Sequence, residues 1–272
     1  MRLLRAAWAF LIRDFQTEVS YRLAFVLSLF GLFVSTTLWY FMAGFIEGGD
    51  PARLRAQTGG LPYFAWVLPG LMVNRFMDVA LGSYGSQIRQ EQTTGTLEAM
   101  LITPTRLGHI VLASSAYSFL FAAIQAAVYL AYGTLLFGLE LNLGSVVGAL
   151  CAVAFSVVAL SGLGIISAGF VLYFKRGNPL DFVISSLNLL FGGVIIPPAA
   201  LPANIAWISS FVPMYHANEA VRGAMVRGEG LGDLGPHLLA LAAFAAVLVP
   251  FGLFGARIAV RRAKKEGSLI QY

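Results

Sequence analysis

The chain has 272 residues, 58% of them hydrophobic and only 11% charged, with a mean hydropathy of +0.77. Soluble domains carry about 25% charged residues, so this composition excludes one and points to an integral membrane protein. The net charge of +5 comes from basic residues that flank apolar runs, with no basic stripe of the kind that grips nucleic acid. A chain in lipid must satisfy its backbone within helices or a closed barrel. The apolar runs here are continuous where a barrel strand would alternate, which predicts an all-α bundle. Cys151 stands alone in one such run, so neither a disulfide framework nor a cysteine metal site is available.

In chain order, residues 1–20 come first. Arg2, Arg5, Arg13 and Gln16 share one helical face, and Leu4, Trp8, Leu11 and Phe15 share the opposite one. That pattern predicts an interfacial amphipathic helix lying on the membrane. Its apolar core is short for a signal peptide and no small-residue cleavage pattern follows; an ordinary uncleaved anchor is the alternative. Six spans are then expected, at about 22–46, 62–86, 110–137, 146–174, 180–196 and 238–260. Residues 47–61 are polar and turn-rich, and predict an external loop. The second span contains Pro69-Gly70, a predicted kink. It also holds Arg75 and Asp78, three apart and so on one helical face. Charges at that depth are expensive and are expected to be paired and to face the protein interior. They either serve transport directly or form a neutralised pair that fixes packing. Gly144, Gly148, Gly162, Gly164 and Gly169 predict close helix approach around the fourth span. Residues 197–236 are irregular, broken by Pro197, Pro198, Pro202 and Pro213. Such backbone is tolerated at membrane depth only inside protein or along a cavity.

Between the second and third spans, residues 87–109 form a polar interlude. Thr94 or Gly95 can cap a short helix there, Glu98 suits its positive end, and Pro104 stops it. Leu97, Met100 and Leu101 fall at i, i+3 and i+4, giving one small apolar face. A helix this short must dock on something, whether its own bundle or a partner. Basic residues set the orientation. Thirteen of the eighteen lie on the side of the termini and of this interlude. Four (Arg53, Arg55, Arg222 and Arg227) lie on the other side, and Arg75 is mid-span. The termini and residues 87–109 are therefore expected in the cytoplasm.

Arg89, Glu91, Gly95, Thr96, Leu97, Glu98, Leu101, Thr103 and Pro104 together resemble the signature between the second and third spans of type-2 ABC exporter permeases. The resemblance implies that this stretch, with Met100, is a cytoplasmic coupling helix seated on an ATPase subunit. Gln92-Thr93-Thr94 departs from the further charge usual there. It also implies an elbow helix over residues 1–20 and two short re-entrant helices on the outer side. Pro197, Pro202, Pro213, Tyr215, Glu219 and Arg222 match the pattern of that outer segment, while Val212 stands where an asparagine is common. The whole chain then reads as a single transmembrane domain in the cell (inner) membrane. Its expected partners are ABC ATPase subunits and a second copy or a paralogous permease. Substrates of the family are drugs, glycolipids and polysaccharide precursors.

No chemistry of its own is legible. The lysines, Lys175, Lys264 and Lys265, follow no glycine, so no phosphate-binding loop is present. ATP and magnesium are accordingly expected on the partner subunit, with no cofactor, metal or catalytic residue on this chain. His109, His216 and His237 are isolated in sequence and show no zinc motif. A self-sufficient secondary transporter or channel would carry charges in several spans, and only Arg75 and Asp78 are found. A membrane-embedded lipid enzyme would need a convergent nucleophile, base or metal set, which is absent from the sequence.

Overall fold

The computed structural model describes residues 12, 16, 22–93, 115–174 and 179–265. Its elements are helical throughout those residues. They are α1 (Arg22–Glu47), α2 (Pro51–Gln57), α3 (Tyr63–Thr93), α4 (Ala116–Leu135), α5 (Val146–Phe174) and α6 (Pro179–Phe191). Then follow a 3-10 turn at Pro198–Ala200, the single turn α7 (Ala203–Ala206), a 3-10 turn at Trp207–Phe211, α8 (Pro213–Arg222), a π turn at Gly223–Arg227, and α9 (Leu231–Lys265). The interfacial helix expected over residues 1–20 lies outside the described residues, apart from Ile12 and Gln16, which are helical.

Five helices among the described residues, α1, α3, α4, α5 and α9, are long and apolar enough to cross a membrane. The fifth expected span is the exception. α6 has 13 residues, about 20 Å at 1.5 Å per residue, short of a hydrocarbon core of about 30 Å. The apolar run continues to Ile196, but Gly192 and Gly193, the latter at φ +68°, turn the chain out of the helix. α3 departs in the other direction. It runs seven residues past the expected boundary at Ser86, so Arg89 and Glu91 sit on a helical extension of the span. α9 likewise starts at Leu231, earlier than the expected 238. Asp233 accepts a hydrogen bond from the Gly230 amide at 3.2 Å, holding the helix start, and Leu234 is fully buried beside Ala149 and Ala224.

α3 and α5 form the centre. α5 packs most extensively on α9 and α3, and α3 also meets α4, α8 and α1. Two glycines on α5 make this possible. A Cβ on Gly164 would overlap the Ala80 carbonyl of α3, and one on Gly162 would lie 2.6 Å from the Leu248 Cβ of α9. With no side chain in between, the backbones approach closely enough for dispersion contacts to hold them, as packing in lipid requires. In the loop between α1 and α3, Asp50 caps α2 by accepting from the Arg53 amide at 3.0 Å, with Pro51 in the first turn.

Candidate functional site

The outer segment is built around three backbone carbonyls left free where α6 ends. Buried in or near lipid, each would cost several kcal/mol unpaired. Side chains satisfy all three. Asn218 Nδ2 donates to the Gly192 carbonyl at 2.6 Å, Arg222 Nη2 to that of Gly193 at 2.5 Å, and the Tyr63 hydroxyl to that of Ile195 at 2.7 Å. Asn218 and Arg222 stand four apart on α8, which places both on the face that meets the break.

Arg222 is the hub. It is fully buried (0% exposed), its Nε donates to the Trp66 carbonyl at 2.7 Å, and its guanidinium lies 3.8 Å from the centre of the Trp66 ring. Trp66 belongs to the first turn of α3, so one side chain ties α8, the α6 break and α3 together. Gly70 leaves room for it, since a Cβ there would come within 2.9 Å of Arg222 Nη2. The predicted Pro69-Gly70 kink position is thus the dock of the outer segment. The charge is matched by Glu219, 3.1 Å from Arg222 Nη1. Glu219 also pairs at 3.0 Å with Arg227, which in turn pairs with Glu229 at 2.5 Å. Burial lowers the Arg222 pKa to about 10, with Glu219 acting against the fall, so the guanidinium stays protonated at neutral pH.

Of the outer residues marked in the sequence, Glu219 and Arg222 meet directly, and Tyr215 is half-buried with its ring against His216 and His237. Pro213 opens α8 behind an extended Val212, which makes no side-chain cap. Pro197 opens the first 3-10 turn and Pro202 the single turn α7. Two of the three histidines isolated in sequence come together here, His216 Nδ1 lying 3.1 Å from His237 Nδ1, while His109 lies outside the described residues. No group of three or more His, Cys, Asp or Glu that could hold a metal occurs among the described residues.

A second polar feature lies along α3. From Tyr63 to Tyr84 every residue is buried except Leu71, Asn74, Arg75, Asp78, Val79 and Gly82. Those positions follow helical spacing and form one open stripe. Arg75 and Asp78 are paired at 3.6 Å, and Asn74 Nδ2 donates to Asp78 Oδ1 at 3.3 Å. Within this chain their side chains are 37% and 52% exposed. α5, α4 and α8 cover the other faces of α3. By contrast α1 and α9 turn large apolar side chains outward, among them Phe41, Phe45, Leu239 and Val247.

The third feature continues from α3. Gly95, Thr96, Leu97, Glu98, Met100, Leu101 and Pro104 lie outside the described residues. Arg89 and Glu91 are in α3, with side chains that also lie outside what is described.

The chain is 28% identical over 252 residues to Nodulation protein J of Rhizobium leguminosarum bv. trifolii, covering 86% of this chain and 87% of that one. It is 26% identical over 241 residues to Nodulation protein J of Sinorhizobium fredii, with the same coverage. The ABC-2 type transporter family matches residues 5–226, a range that takes in α1, the α3 stripe, Glu219 and Arg222, and the stretch that follows α3. A helical bundle of apolar spans matched over most of its length in this way belongs to the ABC-2 type transporter family, as its membrane component.

Proposed function

We propose that this chain is the permease half of an ABC exporter, moving substrate out of the cytoplasm or inner leaflet. ATP hydrolysis, with its magnesium, takes place on a separate ATPase subunit. Two permease chains, identical or paralogous, pair in the cell membrane with their termini cytoplasmic. The observation that carries this reading is the open face of α3, a stripe bearing Asn74, Arg75 and Asp78 on the central helix, where α1 and α9 turn large apolar side chains outward. Half-exposed charges are costly against lipid, so that stripe must face water or another polar surface. A path between two permeases supplies both. The same helix runs through Thr93, and residues 94–104 follow it in sequence, so a push on that cytoplasmic stretch would be passed along α3 to the stripe.

Two results test the assignment. Exposed pairs contribute only about 0–1 kcal/mol, so Arg75→Gln/Asp78→Asn is expected to insert and fold normally while export collapses. Normal export by that double variant would remove the stripe from the path. Loss of folding with either single change and recovery in the double would make the pair purely structural. For orientation, Cys151 is first replaced by serine. A cysteine at Ala52 is then expected to react with an impermeant thiol reagent in whole cells, and one at Gln271 is not. The reverse labelling would invert the topology.

A further inference from the structure

At the end of the bundle where α1 stops and α3 begins lies a cavity of about 940 Å³, within the roughly 300–1,000 Å³ typical of small-molecule pockets. It is separate from the Arg222 cluster and from the α3 stripe. Tyr40, Phe64 and Phe137 form its aromatic wall. Tyr40 lies 5.3 Å from Phe64 and 4.7 Å from Phe137, and the two phenylalanines are 5.9 Å apart, all between ring centres. Phe41 on α1 forms part of the lining and is 68% exposed, so the wall continues toward the lipid-facing side. Two carboxylates, Glu47 and Glu140, belong to the lining, and no lysine, arginine or histidine does so among the described residues. Glu47 accepts from the Tyr63 amide, which fixes its position at the mouth of α3. Glu140 is exposed, on the loop that joins α4 to α5.

We infer that this cavity binds an amphiphile with an alkyl chain and an ammonium head. Aromatic faces attract a cation, most strongly where water is excluded, and the charged side chains among the described lining residues are two carboxylates, which makes the field there favour a cation. The chain lies along Phe41 toward lipid. An anionic head meets repulsion from both glutamates, and a neutral head gains no charge attraction from either. Such an ammonium amphiphile comes either from the bilayer, as an aminophospholipid, or from the aqueous side. The site depends only on the cavity and its lining, not on the transport reading.

The test uses the full chain in lipid nanodiscs and a dodecyltrimethylammonium probe carrying a photoreactive diazirine on its chain. Alkyl glucoside and alkyl sulfate probes of equal chain length serve as comparators. After illumination, peptide mass spectrometry is expected to place the ammonium label on residues 40–47 and 137–142, with little from the other two probes. Glu47→Gln/Glu140→Gln is expected to weaken labelling about tenfold or more, the loss of about 1.4 kcal/mol or more of attraction. Glu140→Gln alone, at an exposed position where folding is not at stake, should give part of that loss. Displacement by phosphatidylethanolamine but not phosphatidylglycerol in the disc identifies a bilayer lipid. Displacement only by added dodecyltrimethylammonium identifies an aqueous source. Equal labelling by all three head groups, or undiminished labelling of the double glutamine variant, overturns the site.

Discussion

Replacing Arg222 with methionine is expected to produce the largest loss of stability of any single change in the outer segment. Methionine fills much of the volume but donates nothing, so the bonds that Arg222 gives to the Trp66 and Gly193 carbonyls are lost inside the protein. Leaving a buried acceptor short of a donor costs about 1–3 kcal/mol, and the contact with the Trp66 ring is lost as well. Glu219 keeps Arg227, so the carboxylate is not left unpaired. Lysine at 222 preserves the charge, but a single ammonium cannot reach two carbonyls and a carboxylate in the fork geometry of arginine, and an intermediate loss is expected. Glu219→Gln removes charge while leaving both carbonyl bonds of Arg222, and should cost less than Arg222→Met. Thermal unfolding in mild detergent measures all three. An unchanged midpoint for Arg222→Met would show that the staple between α8 and α3 contributes nothing.

The second large effect is expected in export itself. Gly95→Val and Glu98→Lys should leave the protein inserted and paired while transport falls to background. The partner ATPase would then either dissociate or hydrolyse ATP without productive export. Leu97, Met100 and Leu101 would enter a groove on that subunit, with Gly95 letting the chain turn into the short helix and Pro104 ending it. Valine at 95 restricts that turn, and lysine at 98 places a positive charge at the positive end of a helix. Exposed interfacial charges are individually worth little, so Glu98→Ala should be milder than Glu98→Lys. Export and ATPase binding at normal levels in both Gly95→Val and Glu98→Lys would remove residues 89–104 from the coupling role.

These two predictions differ in how far the sequence alone could have led to them. α5 was legible to the residue, since a continuous apolar run from Val146 to Phe174 between a turn and Lys175 admits little else. The extension of α3 through Thr93 was not. Its last residues are polar, which marks the edge of the lipid rather than the end of a helix. α6 misled in the opposite sense, because Gly192 and Gly193 are as apolar as a span tolerates and yet end it. Glu219 and Arg222 could be named from their spacing, but Trp66 lies 156 residues from Arg222 and no local pattern connects them. Asn218 carried a signal that went unused, a polar side chain four residues before Arg222 on the same face. For Arg75 and Asp78, periodicity gave a shared face without saying what covers it. That depends on how many neighbours the rest of the chain packs around α3.

The most direct test is the mass of the full chain isolated from its own membrane in mild detergent, under conditions that preserve transport. A particle of two permease chains with two ATPase subunits is expected. The same measurement on Glu98→Lys should retain the permease pair with the ATPase weakened or lost, or bound without productive hydrolysis. A solitary permease, free of any ATPase, in membranes that still transport would contradict a subunit driven by ATP hydrolysis on a partner.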